Sequence, residues 1–85
     1  MTKIDKLIHR LLSRPRDFTY DELAKVLNHF GYDEIKKGKT AGSRRAFVNE
    51  VTKHVVRLHK PHPGNILKMY VIDFVIRELK DQRLL

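Results

Sequence analysis

The chain is 85 residues long, has no cysteine and carries a formal net charge of +8, from 18 Lys and Arg against 10 Asp and Glu. That length predicts a single small domain, and the missing thiols exclude disulfides and thiolate metal sites and point to the cytoplasm. With 41% hydrophobic residues, no run near the ~18 apolar residues of a membrane span and no apolar h-region in MTKIDKLIHRLL, it reads as neither a disordered basic tail, a membrane protein nor a secreted one.

Residues 2 to 13 read as an amphipathic helix. Ile4, Leu7, Ile8, Leu11 and Leu12 follow the i, i+3, i+4 spacing of one face, and Thr2 stands where a cap belongs. Arg14-Pro15 stops the helix, because a residue before proline is driven out of the α region. Lys3, Lys6 and Arg10 then fall on a solvated side. A second helix is announced by Thr19-Tyr20-Asp21-Glu22, which fits the capping box, with Phe18 and Leu23 spaced as a hydrophobic staple and Gly31 as the C-terminal stop. Its apolar face is Leu23, Val26, Leu27 and Phe30, which leaves Tyr20, Asp21, Glu22 and Lys25 to solvent rather than to catalysis.

After Gly31 the period changes. Tyr32 to Lys37 is a short strand candidate with Ile35 reaching the core, and Gly38-Lys39-Thr40-Ala41-Gly42-Ser43 is a basic two-glycine loop. Arg44 to Glu50 and Lys53 to His59 alternate as two strands with a tight turn near Val51-Thr52. A loop of either two or four residues gives one register. It sets Phe47 opposite Val56 and Arg45 opposite Leu58 on a face turned to the helices, and Ala46 opposite Arg57 and Arg44 opposite His59 on the open face. A three- or five-residue loop would shift the pairing by one and scatter these cations.

Pro61, Pro63 and Gly64 bend the chain into a last helix from about Lys68 to Asp81, whose apolar stripe is Tyr70, Val71, Val75, Ile76 and Leu79, joined by Ile72. The order α, α, β, β, β, α describes an α+β domain with helices on one face of a small three-stranded antiparallel sheet.

Charge is concentrated in one stretch. Between Lys36 and Lys60, eight Lys and Arg oppose a single acid, Glu50, while the rest of the chain is nearly balanced. A basic block inside a β-patterned segment predicts a folded surface for a polyanion, either nucleic acid or an acidic protein. Arg44, Arg57 and His59 share its open face, the Arg45 stem lies at the edge of the face turned to the helices, and Arg45 and Lys60 join the RNA-binding candidates. Lys36, Lys37 and Lys39 can follow a phosphate backbone, and Ser43 can hydrogen-bond a phosphate. The plainer alternatives are a solvated turn for the lysine loop and turn histidines for His59 and His62.

Gly42-Ser43-Arg44 before a strand holding Phe47, then a strand closing on His59-Lys60-Pro61-His62-Pro63, then a helix, resemble the HicA family of toxins from bacterial toxin-antitoxin systems. The Gly-Tyr after the second helix also falls in the family's order. The resemblance covers about residues 19 to 81 and leaves 1 to 16 as an additional N-terminal helix. It implies a double-stranded-RNA-binding-domain-like fold, ribosome-independent cleavage of mRNA, and a HicB-like antitoxin that covers the active surface.

The family places its essential histidine directly after Gly-Ser, where this chain has Arg44. A guanidinium stays protonated and cannot be a general base, although it can neutralise a phosphate or stabilise a phosphorane-like transition state. Proton transfer has then either moved to another histidine or been lost, which would leave a non-catalytic nucleic-acid-binding module of the same fold or an inactivated variant. His59 is the best substitute, since the register sets it across from Arg44 within the ~5.5 Å typical of cross-strand Cβ atoms. His62 can be the second proton-transfer group, with Arg44 and Arg57 around the phosphorus. A further alternative is a protein that keeps an acidic antitoxin partner without the nuclease.

Other chemistry finds little support. His59-x-x-His62 does not assemble the three or four ligands zinc takes, and Gly38-Lys39-Thr40 lacks the full phosphate-loop pattern, so no metal, cofactor or small-molecule site is expected. The open sheet face has too few aromatics for base stacking of the RRM kind. His9, His29 and His54 have no chemistry around them.

Overall fold

The computed structural model describes residues 2–35, 44–61 and 64–85. Three helices, α1 (Lys3–Leu12), α2 (Tyr20–His29) and α3 (Met69–Asp81), pack with three strands, β1 (Tyr32–Glu34), β2 (Arg44–Asn49) and β3 (Val55–His59).

The first two helices open on the same device. Thr2 and Thr19 each accept a hydrogen bond from the backbone N–H three residues on, while the side chain at that position, Asp5 or Glu22, accepts from the threonine's own N–H. Two otherwise orphaned donors are satisfied in each box, and an acidic group meets the positive end of the helix. Gly31 ends α2 at φ +92°, a left-handed conformation that suits glycine, and a Cβ there would meet the Asn49 amide nitrogen at 3.4 Å. At the end of α1, Arg14 sits at φ 55°, and its guanidinium reaches Asp73 of α3 at 2.6 Å and 2.9 Å.

The sheet is antiparallel in the order β1-β2-β3, so β2 is central and β1 and β3 are edges. The hairpin between β2 and β3 has the expected register: Arg44 faces His59, Arg45 faces Leu58, Ala46 faces Arg57 and Phe47 faces Val56. It closes by Asn49 N–H donating to His54 C=O at 2.9 Å and Lys53 N–H to Asn49 C=O at 2.7 Å, with Lys53 at φ 64°. The turn between these ends is four residues long, which keeps the faces in phase.

The helices share one face of the sheet. Phe18, Leu23, Leu27, Phe47, Val56 and Ile72 are essentially inaccessible, and Leu11 brings α1 into the same core, with Ile4, Leu7 and Ile8 packed against it. Burial of one such side chain is worth ~1.5–3 kcal/mol, so α1 belongs to the packing unit and is not an appended tail. The 64–67 segment is strapped to the start of α2, where Tyr20 N–H donates to Asn65 C=O and Leu67 N–H to Phe18 C=O.

Several expectations are corrected. The first strand is Tyr32–Glu34, and the expected continuation through Lys36 and Lys37 lies outside the described residues; Ile35, past the strand, adds one more sheet bond, to Ala46 C=O at 2.7 Å, and is only partly buried. Tyr20 is buried at 4% exposure instead of lying on a solvated face, because its ring covers Phe47 and its hydroxyl reaches Glu34. Tyr70 shows the reverse, standing 63% exposed outside the apolar stripe. Arg10 is not simply solvated: it donates to Asp17 and Glu22 and lies 5.2 Å from the Phe18 ring centre. Among the described residues no helix is long and apolar enough to cross a membrane.

Candidate nucleic-acid interface

Strand alternation sends Arg44, Ala46 and Val48 of β2 and Val55, Arg57 and His59 of β3 to the face away from the helices. Arg44, Arg57 and His59 are all exposed and occupy one end of that face. Ala46, Val48 and Val55 make a low, partly exposed apolar floor beside them. The acid on the same face, Asp33 of β1, pairs with Val48 and so lies toward the opposite end of the sheet. Among the described residues, none of the three cationic or potentially cationic groups enters an ion pair. Unneutralised and directed to solvent, they are electrostatically poised for a phosphate.

Arg45 and Lys60 lie elsewhere. Arg45 points to the helix side, with its Nε 4.0 Å from a Glu34 carboxylate oxygen and its Nη1 donating to the Arg44 carbonyl at 2.9 Å. The Lys60 ammonium stands 5.3 Å from the centre of the Tyr20 ring. Burial, and then the bonded Glu34 carboxylate, push the Tyr20 phenol well above its ordinary range, so it stays protonated and donates to Glu34. Tyr20, Glu34, Arg45 and Lys60 thus form a mixed-charge rim on the helix side of the sheet. Lys36, Lys37, Lys39, Ser43 and His62 lie outside the described residues.

Chemically, the open-face group combines one imidazole with two fixed cations. His59 is directly across from Arg44 and two residues from Arg57 on its own strand. Arg44 and Arg57 can share the charge of one phosphate, and the imidazole can give or take a proton nearby. No carboxylate orients the His59 ring among the described residues. Among the described residues, no three or more His, Cys, Asp or Glu converge in a way that could hold a metal ion.

No family model, curated protein or solved structure matches the chain.

Two features near the sheet escaped the sequence reading. His54, just before β3, is held between the Tyr32 hydroxyl at 2.5 Å from Nδ1 and Glu78 of α3 at 3.2 Å from Nε2. A ring carrying its proton on Nε2 donates to Glu78 and accepts from Tyr32. Burial, with a smaller contribution from the Glu78 charge, raises the Tyr32 phenol above its usual range. The second feature is a groove of about 350 Å³ between β3 and α3, lined by Arg57, Leu58, His59, Tyr70, Val71, Phe74 and Arg77. Its helix wall has a sequence signature, since Tyr70, Phe74 and Arg77 recur at i, i+4 and i+7, but that stripe is overshadowed by the larger aliphatic one beside it.

Proposed function

We propose that this chain is a HicA-like toxin of a bacterial toxin-antitoxin pair, an RNA-binding protein of the mRNA interferase type that acts without a metal and is silenced by a HicB-like antitoxin. The observation that carries the reading is the gathering of Arg44, Arg57 and His59 on an end of the open sheet face that holds no acid among the described residues. The α-β-β-β-α order from α2 onward is compatible with a double-stranded-RNA-binding-domain-like fold.

In this mechanism a phosphodiester rests against Arg44 and Arg57. His59 removes the proton of the ribose 2′-hydroxyl, the 2′-oxygen attacks phosphorus, and the 5′-oxygen leaves as it takes up a proton, from His62 or from water. The two guanidiniums stabilise the extra negative charge that develops on the phosphoryl oxygens, which is greater in the transition state than in bound RNA. Arg44 takes no part in proton transfer, since it remains a cation at every step.

A second reading, a non-catalytic nucleic-acid-binding module of the same fold, is favoured by two facts: Arg44 replaces the family histidine, and no described carboxylate orients His59. Incubation of RNA with wild type and His59→Ala in the presence of EDTA separates the readings. Cleavage that disappears on substitution supports the nuclease; cleavage that survives removes His59 from the mechanism. Salt-sensitive binding without cleavage by the wild type favours the module.

A further inference from the structure

Among the described residues, the open face of β2 and β3 offers cations but no aromatic ring, and α3 supplies what it lacks. The groove beside β3 has a floor of buried Leu58 and Val71, a polar wall of Arg57 and His59, and a helix wall of Tyr70, Phe74 and Arg77. Tyr70 is 63% exposed although it belongs to a helix whose neighbouring positions, Val71 and Ile72, are buried. Phe74 is partly buried, and the Arg77 guanidinium lies 6.0 Å from its ring centre. Among the described residues, no acid lines the groove.

Aromatic faces and unneutralised guanidiniums around one cleft match the two halves of a nucleotide. A base has a π-face that stacks on Tyr or Phe whatever its sequence, and its phosphate is attracted by the arginines. A base inside a duplex is already stacked and paired on both sides, so only an unpaired one can enter.

We propose that the β3–α3 groove receives one unstacked base of a single-stranded or looped RNA, with Tyr70 as the stacking platform, Phe74 beneath it, and Arg77 and Arg57 on the flanking phosphates. This rests on the reading of the open face as a nucleic-acid surface and sharpens it: the strand crosses the open face and turns a base over the edge of β3. The protein thereby selects single-stranded segments over continuous helix.

The test measures binding of the full chain to two probes, an end-labelled single-stranded oligouridine and a blunt RNA duplex, by fluorescence anisotropy. Tyr70→Ala is expected to weaken the single strand by roughly 5- to 150-fold, the range of a lost base–aromatic stack, and to leave the duplex within about 2-fold. Tyr70→Phe, which keeps the π-face, is expected to restore wild-type binding. Because Tyr70 is exposed, these variants should fold, and an unchanged urea midpoint checks that they do. If Tyr70→Ala leaves single-strand binding intact, or weakens both probes alike, while Arg57→Ala weakens both, the groove proposal falls and the open-face reading stands. If Arg57→Ala and Tyr70→Ala both leave binding unchanged, the open-face reading falls and takes the groove with it.

Discussion

Asn49 is the one buried polar residue of the described core, 7% exposed, and it joins three parts of the fold that position the open face. Its Oδ1 accepts from the N–H groups of Val51 at 2.9 Å and Thr52 at 3.1 Å, which shapes the hairpin turn; its Nδ2 donates to the Phe30 carbonyl at the end of α2, at 3.1 Å. Asn49→Ala removes all three bonds. Each is worth about 1 kcal/mol net, and the two turn donors are near enough to solvent for water to replace part of the loss, whereas the Phe30 carbonyl loses its partner in a packed setting. The expected cost is therefore about 2–3 kcal/mol. For a domain of this size that lowers Tm by roughly 10–20 °C, and in urea it should lower the midpoint without changing the slope. Val51→Ala is the matched control: the side chain is 91% exposed, and its truncation should stay within about 0.5 kcal/mol. An Asn49→Ala variant as stable as the control would refute the idea that this amide couples the turn to α2.

Two further expectations follow from partly buried polar contacts. Tyr32→Phe keeps the ring packing but leaves His54 Nδ1 without its partner, so it should cost about 1–2 kcal/mol, and a double-mutant cycle with Glu78→Gln should show non-additivity above about 0.5 kcal/mol; strictly additive losses would show that the three groups do not act as a network. For Glu22, burial alone would raise the pKa, but the hydrogen bonds from Thr19 and the charge of Arg10 outweigh it and hold the carboxyl below its ordinary 4.5. A depressed pKa in the folded state means that this stabilisation is present above about pH 4.5 and is lost as pH falls through the lower folded value. The stability gap between wild type and Glu22→Gln, read from urea midpoints at pH 6 and at stepwise lower pH, should shrink below pH 4.5; a constant gap would contradict it.

The parts of this fold that were legible in the sequence are those with a local cause. Thr19 and Glu22 carry their capping bonds within one turn, and the alternation of Phe47, Val56 and Leu58 fixes which side of the hairpin is buried, so Arg44, Arg57 and His59 come together by register alone. Residues with two-sided chemistry were misplaced. Tyr20 and Tyr70 each combine an apolar ring with a polar tip, and only tertiary packing decides that one covers Phe47 while the other faces solvent. Arg10 looked solvated because Asp17 and Glu22 lie 7 and 12 residues away, past the end of α1, where no helical period applies. His54 was unreadable for the same reason, its partners being 22 and 24 residues distant. Among the site residues, periodicity separated Arg45 from Arg44, but the engagement of Arg45 with Glu34 depends on the pairing of β1 beside β2, and that of Lys60 with Tyr20 on how α2 sits over the sheet.

The central claim, that the open face meets phosphate, is tested most directly by the salt dependence of RNA binding. Wild type and an Arg44→Ala/Arg57→Ala double variant are titrated with single-stranded RNA across a series of salt concentrations, with Lys6→Ala/Lys25→Ala, two exposed lysines on α1 and α2, as the charge-matched control. Loss of two phosphate contacts should flatten the slope of log K against log[salt] by roughly 1.4 in the open-face variant, at ~0.7 per contact, and leave the control slope near that of wild type. An open-face variant with the wild-type slope, or a control that flattens equally, would mean that the RNA meets the general charge of the protein and not this surface.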